Sequence, residues 1–204
     1  MKNLLILIIC FGIHSAAFSQ IITDIDEVYP LHSDLAAIKK DNQWAFINKN
    51  GEKVIDFRND LVLTEKVNSL NETNAYPVFN DGRCLIRKLM ENTLYFGYIN
   101  EKGAEIIKPQ FLNATNFSNG FAIVVVFYQD SIGFNEVLKI PVMSSKMEEY
   151  VINTSGERVK YLYNPKNYIP SNYKIKAPAV ESKFIAPNLV ATKNKRNKWQ
   201  IHQF

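Results

Sequence analysis

One block of residues recurs along this chain, and its recurrence limits the fold to stacked copies of a small unit. Trp44-Ala-Phe-Ile-Asn-Lys-Asn-Gly51-Glu-Lys-Val-Ile55 returns as Phe96-Gly-Tyr-Ile-Asn-Glu-Lys-Gly103-Ala-Glu-Ile-Ile107, and more loosely as Tyr150-Val-Ile-Asn-Thr-Ser-Gly156-Glu-Arg-Val159. Ile47, Ile99 and Ile152 are separated by 52 and 53 residues, and so are Gly51, Gly103 and Gly156. A period of this length means supersecondary units that cannot bury an apolar face alone and share a core with their neighbours.

Each copy carries its own turn chemistry. Asn48-Lys-Asn-Gly51, Asn100-Glu-Lys-Gly103 and Asn153-Thr-Ser-Gly156 place Asn first and Gly fourth. A type I turn prefers that arrangement, and Gly in the left-handed region completes a hairpin with a bulge. Upstream the residues alternate: Trp44, Phe46 and Asn48 on one strand face, Ala45 and Ile47 on the other. Gly97 and Ile99 occupy the matching second face, and a small residue there predicts a neighbour packed closely against the strand. A second signal precedes each unit. Gly82 and Gly120 each follow an aromatic and a tight turn, and Asp34 and Asn188 take the same place. Gly, Asn and Asp tolerate positive φ, so all four sites are expected to adopt it.

The chain therefore reads as four units, near 34–57, 82–111, 120–159 and 188–201. The fourth, Lys193 to Ile201, parallels Lys39 to Phe46 with one extra residue in the turn. Insertions separate the units. Residues 58–76 are expected as a short helix or a loop. Asn135–Val142 reads as an extra strand in a long third hairpin. Residues 160–187 hold four prolines and four tyrosines, which favours an extended segment over the surface. The fold class expected is all-β: about four diverged tandem β-hairpin repeats in a propeller-like or open assembly of sheets.

Residues 96–124 carry a fuller pattern. It comprises Phe96, Gly97, Tyr98, Ile99, Asn100, Gly103, Ile106, Ile107, Pro109, Phe111, Phe117, Gly120, Ala122 and Val124. This string resembles the bacterial WG-containing repeat. Phe96 stands where that family has Trp. In the first copy Trp44 is present, but Ala45 replaces Gly and Phe57 falls at the place of Pro109. The third copy has Glu149 and Tyr150 in place of the aromatic-Gly pair, and the fourth keeps Trp199. The resemblance implies a β-hairpin repeat scaffold, often exported by bacteria, with no catalytic activity of its own.

Residues 1–20 read as a secretory signal peptide. Lys2 begins it, Leu4 to Phe11 form a short apolar run, and small and polar residues end it. The expected location is therefore secreted, periplasmic or in the cell envelope, with residues 21–204 as the repeat domain. That apolar run is too short to span a bilayer, and no later segment reaches spanning length. Past the leader only Cys84 remains, at the repeat position of Ala36, Ala122 and Val190, where it is expected to behave as a small buried hydrophobe.

No constellation in the chain points to catalysis, a metal or a cofactor. His32 and His202 belong to no metal-spaced cluster, and the glycines stand singly in turns. Asp24, Asp26 and Glu27 lack the further ligands of a cation loop. Glu148 and Glu149 are adjacent, so on a strand they point to opposite faces. The periodic Phe46, Tyr98, Phe111 and Phe117 are expected in the core.

Charge gives the one pointer to a partner. Residues 21–157 carry 13 Lys and Arg against 19 Asp and Glu, whereas residues 158–204 carry 10 against 1. Lys193, Lys195, Arg196 and Lys198 crowd one turn beside Trp199, and Lys174 and Lys176 lie among tyrosines. With Trp44, the other tryptophan, Lys193, Lys195, Arg196, Lys198 and Trp199 form the candidate binding set. The expected partner is a protein or an anionic polysaccharide or lipopolysaccharide rather than nucleic acid, with charge balance inside the molecule as the simpler account. Two other functions fit the same sequence: an envelope carbohydrate hydrolase whose carboxylates are paired only in three dimensions, and a diverged structural remnant with no ligand. The turn assignment makes a direct prediction. Gly103→Val should destabilise by about 1 kcal/mol or more, because a β-branched residue resists positive φ; an unchanged melting temperature would refute it.

Overall fold

The computed structural model describes residues 22–67, 71–162, 165–167 and 177–204. The expected signal peptide, with Lys174 and Lys176, lies outside the described residues. Every regular element described is a strand. The first sheet holds β1 (Glu27–Val28), β2 (Leu35–Lys40), β3 (Gln43–Asn48) and β4 (Lys53–Arg58), paired in that order. A two-stranded hairpin follows, β5 (Thr64–Val67) and β6 (Thr73–Tyr76), in a region expected to be a helix or a loop. The second sheet is β7 (Cys84–Met90), β8 (Thr93–Ile99) and β9 (Glu105–Phe111), with Leu61 bridging to Ile86 at its edge. The third is β10 (Asn113–Ala114), β11 (Phe121–Asn135), β12 (Ile140–Asn153) and β13 (Arg158–Tyr161), and β14 (Lys166–Asn167) pairs the outer part of β12. The fourth is β15 (Lys183–Ala186), β16 (Leu189–Lys193) and β17 (Trp199–Gln203). All pairings are antiparallel.

The sheets pack face to face in chain order. Leu35, Trp44, Phe46 and Ile55 of the first sheet meet Cys84, Ile86 and Ile99 of the second. Leu85, Phe96, Tyr98 and Ile107, on the opposite face of the second sheet, meet Ala122, Val124 and Ile152 of the third. Ile123 and Val151 then turn toward Val190 of the fourth. A central strand buried on both faces must be apolar at consecutive positions, and Leu35–Ile38, Cys84–Ile86 and Ala122–Val126 are all buried. No core cluster and no strand pairing joins the fourth sheet to the first among the described residues.

The turns follow the sequence chemistry closely. Gly51, Gly103 and Gly156 have φ of 77°, 78° and 86°, and each amide donates to the carbonyl of the Asn three residues earlier at 2.9 Å. The side-chain oxygens of Asn48, Asn100 and Asn153 each accept two further backbone N–H bonds within the turn. The unit entrances are two-residue hairpins with consecutive positive φ, at Ser33-Asp34, Asp81-Gly82 and Asn119-Gly120. Asn188 departs from this expectation, because it does not adopt positive φ. Pro187 before it cannot take the left-handed first position of such a turn, and a register shift between Phe184 and Ala186 absorbs the difference. The turn from Asn194 also differs from its expected parallel. Asn197 has φ 58° and donates to Asn194, whose side chain accepts from Arg196 and Lys198. It has the chemistry of the Asn-x-x-Gly turns, with Asn in the place of Gly.

The expected close approach at Gly97 is present. Phe96 pairs Phe111 and Tyr98 pairs Ile107, so Gly97 faces three bulged residues, 108–110. A methyl on Gly97 would lie 2.6 Å from Pro109 N and closer still to the Ile107 carbonyl oxygen. In the first sheet Trp44 pairs Arg58 and Phe46 pairs Ile55, leaving only Asp56 and Phe57 in the bulge. With one residue fewer crossing behind it, Ala45 is fully buried rather than in collision. The two departures noted in the first copy, Ala45 and Phe57, therefore have one cause. The aromatics expected in the core are there, with Phe46 against Phe79 and Tyr98 against Phe117, both edge-on at 4.8 and 4.7 Å.

Asn135–Val142 is not one strand. Asn135 ends β11 and its side chain accepts the Val137 and Leu138 amides, closing a turn before Ile140. β11 and β12 thus make one long finger.

Two outcomes test this architecture. Gly97→Ala should cost about 2 kcal/mol or more, since the methyl meets backbone that cannot rotate away, whereas Gly133→Ala, with open space around it, should change the denaturant midpoint little. Burial pushes the Cys84 thiol up to about 12. The folded value lies above the unfolded one, so its contribution to stability is full below the unfolded thiol's range, near pH 9, and is lost as pH rises toward 12. Cys84→Ala should flatten the fall in stability above pH 9 measured by urea titration; an unchanged alkaline slope would contradict the buried thiol.

Candidate functional site

The basic hairpin of the fourth sheet is the candidate. Strand alternation puts Lys193 opposite Trp199 and Ala191 opposite Ile201, with Lys183 paired to Ala191. These residues share the face directed away from the third sheet, since Val190 on the other face enters the core. Trp199 is 49% exposed. The Lys183 and Lys193 ammonium groups sit over its ring at 4.8 and 5.4 Å. Lys195, Arg196 and Lys198 are exposed in the turn, which the Asn194 side chain fixes. None of the hairpin's cations forms an ion pair among the described residues. The sequence left out Lys183. Its register opposite Ala191 depends on the bulge in β15, which leaves no signature of its own.

Trp44 is not part of this surface. It is 6% exposed, lies in the first core layer beside Tyr29, and carries Lys39 over its ring at 5.6 Å. The five C-terminal residues are brought together and Trp44 is kept apart.

The carboxylates are engaged structurally. Glu27 accepts from Lys39 at 2.6 Å and from the Tyr29 hydroxyl at 2.8 Å, and these bonds hold it below the usual carboxylate range. Asp60 is gripped by Arg58 through two bonds of 2.6 and 2.7 Å, while a third guanidinium bond reaches the Gly103 carbonyl. Glu148 and Glu149 point to opposite faces as expected. Burial alone would raise Glu148, but its bonds from Lys146 and Tyr150 prevail and hold it low. Glu149 is buried and accepts the Glu181 and Ser182 amides and the Ser182 hydroxyl, so it anchors the chain leading into β15.

An open cleft of about 490 Å³ lies between the first two sheets. Its two carboxylates are Asp60, already gripped by Arg58, and Glu105. No group of three His, Cys, Asp or Glu side chains able to hold a metal occurs among the described residues. No helix among the described residues is long and apolar enough to cross a membrane.

Comparison with curated proteins and with solved structures returns no match. A family model does match, in one stretch that takes in β1, β2 and the first residues of β3 and another that runs from the second half of β8 into β11. Residues 21–44 and 96–126 match the model of the family described as WG containing repeat, so these two stretches are similar to that repeat.

Proposed function

We propose that the protein is an exported, non-catalytic binding module that holds an anionic envelope polymer, such as acidic polysaccharide or lipopolysaccharide, or an acidic protein partner. The observation that carries this reading is the half-exposed Trp199 beside Lys183 and Lys193, next to three exposed cations that form no ion pair among the described residues. An aromatic face can stack on a sugar ring while flanking cations meet its acidic groups. A turn that only balanced the acidic front of the same molecule would have its cations directed at those acids, and no such contact occurs among the described residues. Export rests on the leader-like residues 1–20. Repeat proteins place recognition on turns and insertions and leave stability to the shared core, which agrees with a site on a terminal hairpin.

The test is retention of the protein on immobilised acidic polysaccharide and on lipopolysaccharide at low and high salt, beside a Lys193/Lys195/Arg196/Lys198→Ala variant. Retention should weaken with salt, as exposed charge contacts do, and the variant should lose most of it. Trp199→Ala should weaken polysaccharide binding roughly tenfold while leaving its salt dependence in place. Absence of retention at either salt would direct the search to an acidic protein partner, and retention unchanged in the variant would remove the hairpin from the site.

A further inference from the structure

β17 leaves one edge of the fourth sheet open. Its counterparts β3, β8 and β12 each carry an antiparallel strand on that side, namely β4, β9 and β13. β17 has β16 on one side and no strand on the other among the described residues. Backbone alternation aims its free groups outward. The Asn194 amide donates to the Lys198 carbonyl and the Phe204 amide to the Asn188 carbonyl, so Lys198, Gln200, His202 and Phe204 turn toward β16. The N–H and C=O groups of Trp199, Ile201 and Gln203 therefore face the open side.

Sheet edges are ordinarily guarded by charge, proline or a bulge. The outer strands of the other three sheets follow that rule. β4 has Lys53, Asp56 and Arg58, β9 has Lys108 and Pro109, and β13 has Arg158 and Lys160. Each of the three is also paired with a register shift. β17, Trp199-Gln-Ile-His-Gln203, has no Lys, Arg, Asp, Glu or Pro and no shift against β16. Ile201 on it is 64% exposed, where its counterparts Phe46 and Tyr98 lie beside Ile55 and Ile107 of the added strand.

We propose that β17 accepts an extended segment of a partner protein as an added antiparallel strand, with an aliphatic side chain opposite Ile201 and acidic residues at the segment's C-terminal end. Main-chain bonds to an open edge supply affinity in such pairing, and side chains supply choice. Direction follows from the sheets that already have the strand. β4 starts opposite Ile47 and ends opposite Trp44, so a strand on β17 ends beside Trp199 and runs out toward the exposed Lys195, Arg196 and Lys198. The acidic end rests on the basic hairpin as an anion-binding surface; the strand goes beyond it. The segment must also lack the bulge seen opposite Gly97. Gln200 stands at that position, as Tyr150 does in the third sheet, where β13 pairs Tyr150 and Val151 in step. Joining β17 to β17 of a second copy would gather two hairpins of cations that have no ion-pair partner among the described residues, which is repulsive. Charge therefore selects an acidic partner over a second copy.

The probe is a synthetic peptide, Ser-Val-Thr-Ile-Thr-Val-Glu-Glu-Asp, beside the same residues in reverse order, titrated into the full chain and followed by amide hydrogen exchange. The forward peptide should bind at about 10–100 μM. It should slow exchange at Trp199, Ile201 and Gln203 by about fivefold or more, while Gln200 and His202, already bonded to β16, change little. The reversed peptide should bind about tenfold more weakly. Lys195/Arg196/Lys198→Ala should weaken the forward peptide about tenfold and remove its salt dependence. No binding up to about 1 mM would overturn the proposal. Equal binding of both peptides without protection of the three amides would overturn the strand and leave the hairpin an anion-binding surface. Protection indifferent to salt and to the three substitutions would overturn the acidic end, and the anion-binding reading with it. A dimer in sedimentation velocity that the peptide dissociates would give the edge to a second copy and overturn the choice of partner.

Discussion

Burial of a sheet on both of its faces is the condition on which the remainder of this molecule depends. A sheet with one wet face can alternate polar and apolar residues, but a sheet held between two others cannot. The inner strands therefore lose their alternation and read as apolar runs, as at Cys84–Ile86 and Ala122–Val126. Spacing between the sheets then governs side-chain size. Ala36, Cys84, Ala122 and Val190 hold the same position in the four sheets, none more than 5% exposed. Facing sheets stand about 10 Å apart and share that gap between two sets of side chains. Where Phe46 or Tyr98 fills it from one strand, a small residue suits the strand beside it.

Neighbouring sheets are also tied at their turns, which fixes how one unit is placed over the next. The Gly120 amide donates to Asp81 at 2.7 Å, Arg83 reaches the Thr154 carbonyl, and Arg58 reaches the Gly103 carbonyl. Each of these bonds runs from one unit to the turn of the following one. The glycine and asparagine turns thus do more than reverse the chain: they present backbone donors and acceptors at fixed places on the edge of the stack.

The legible part of the sequence was the part set by local chemistry. An Asn followed three residues later by Gly has few conformations compatible with its own hydrogen bonds, so the turns at Asn48, Asn100 and Asn153 could be placed without knowing the fold. The core aromatics were legible because they recur with those turns. What was not legible depends on counting across strands. The different bulges opposite Ala45 and Gly97 arise from pairing register, and so does the position of Lys183 beside Trp199. Asn135–Val142 looked like a strand because its composition is that of one, while the turn inside it is made by a single Asn side chain. In the candidate site, Lys193 through Trp199 could be found from charge density. Separating Trp44 from them required burial, since both tryptophans follow polar turns.

The exchange between Gly97 with its three-residue bulge and Ala45 with its two-residue bulge has a directional consequence. Two changes separate these states, a deletion in the third strand and a methyl on the second. Deletion first leaves a methyl-sized gap, which costs about 1 kcal/mol and is survivable. The methyl first drives a carbon into the Pro109 and Ile107 backbone, which has nowhere to go. A chain passing from one form to the other must shorten before it fills, and on the way back it must empty before it lengthens. Repeats of this kind can therefore drift in length along one ordered path, and an Ala at this position is compatible with the shorter bulge but not with the longer one.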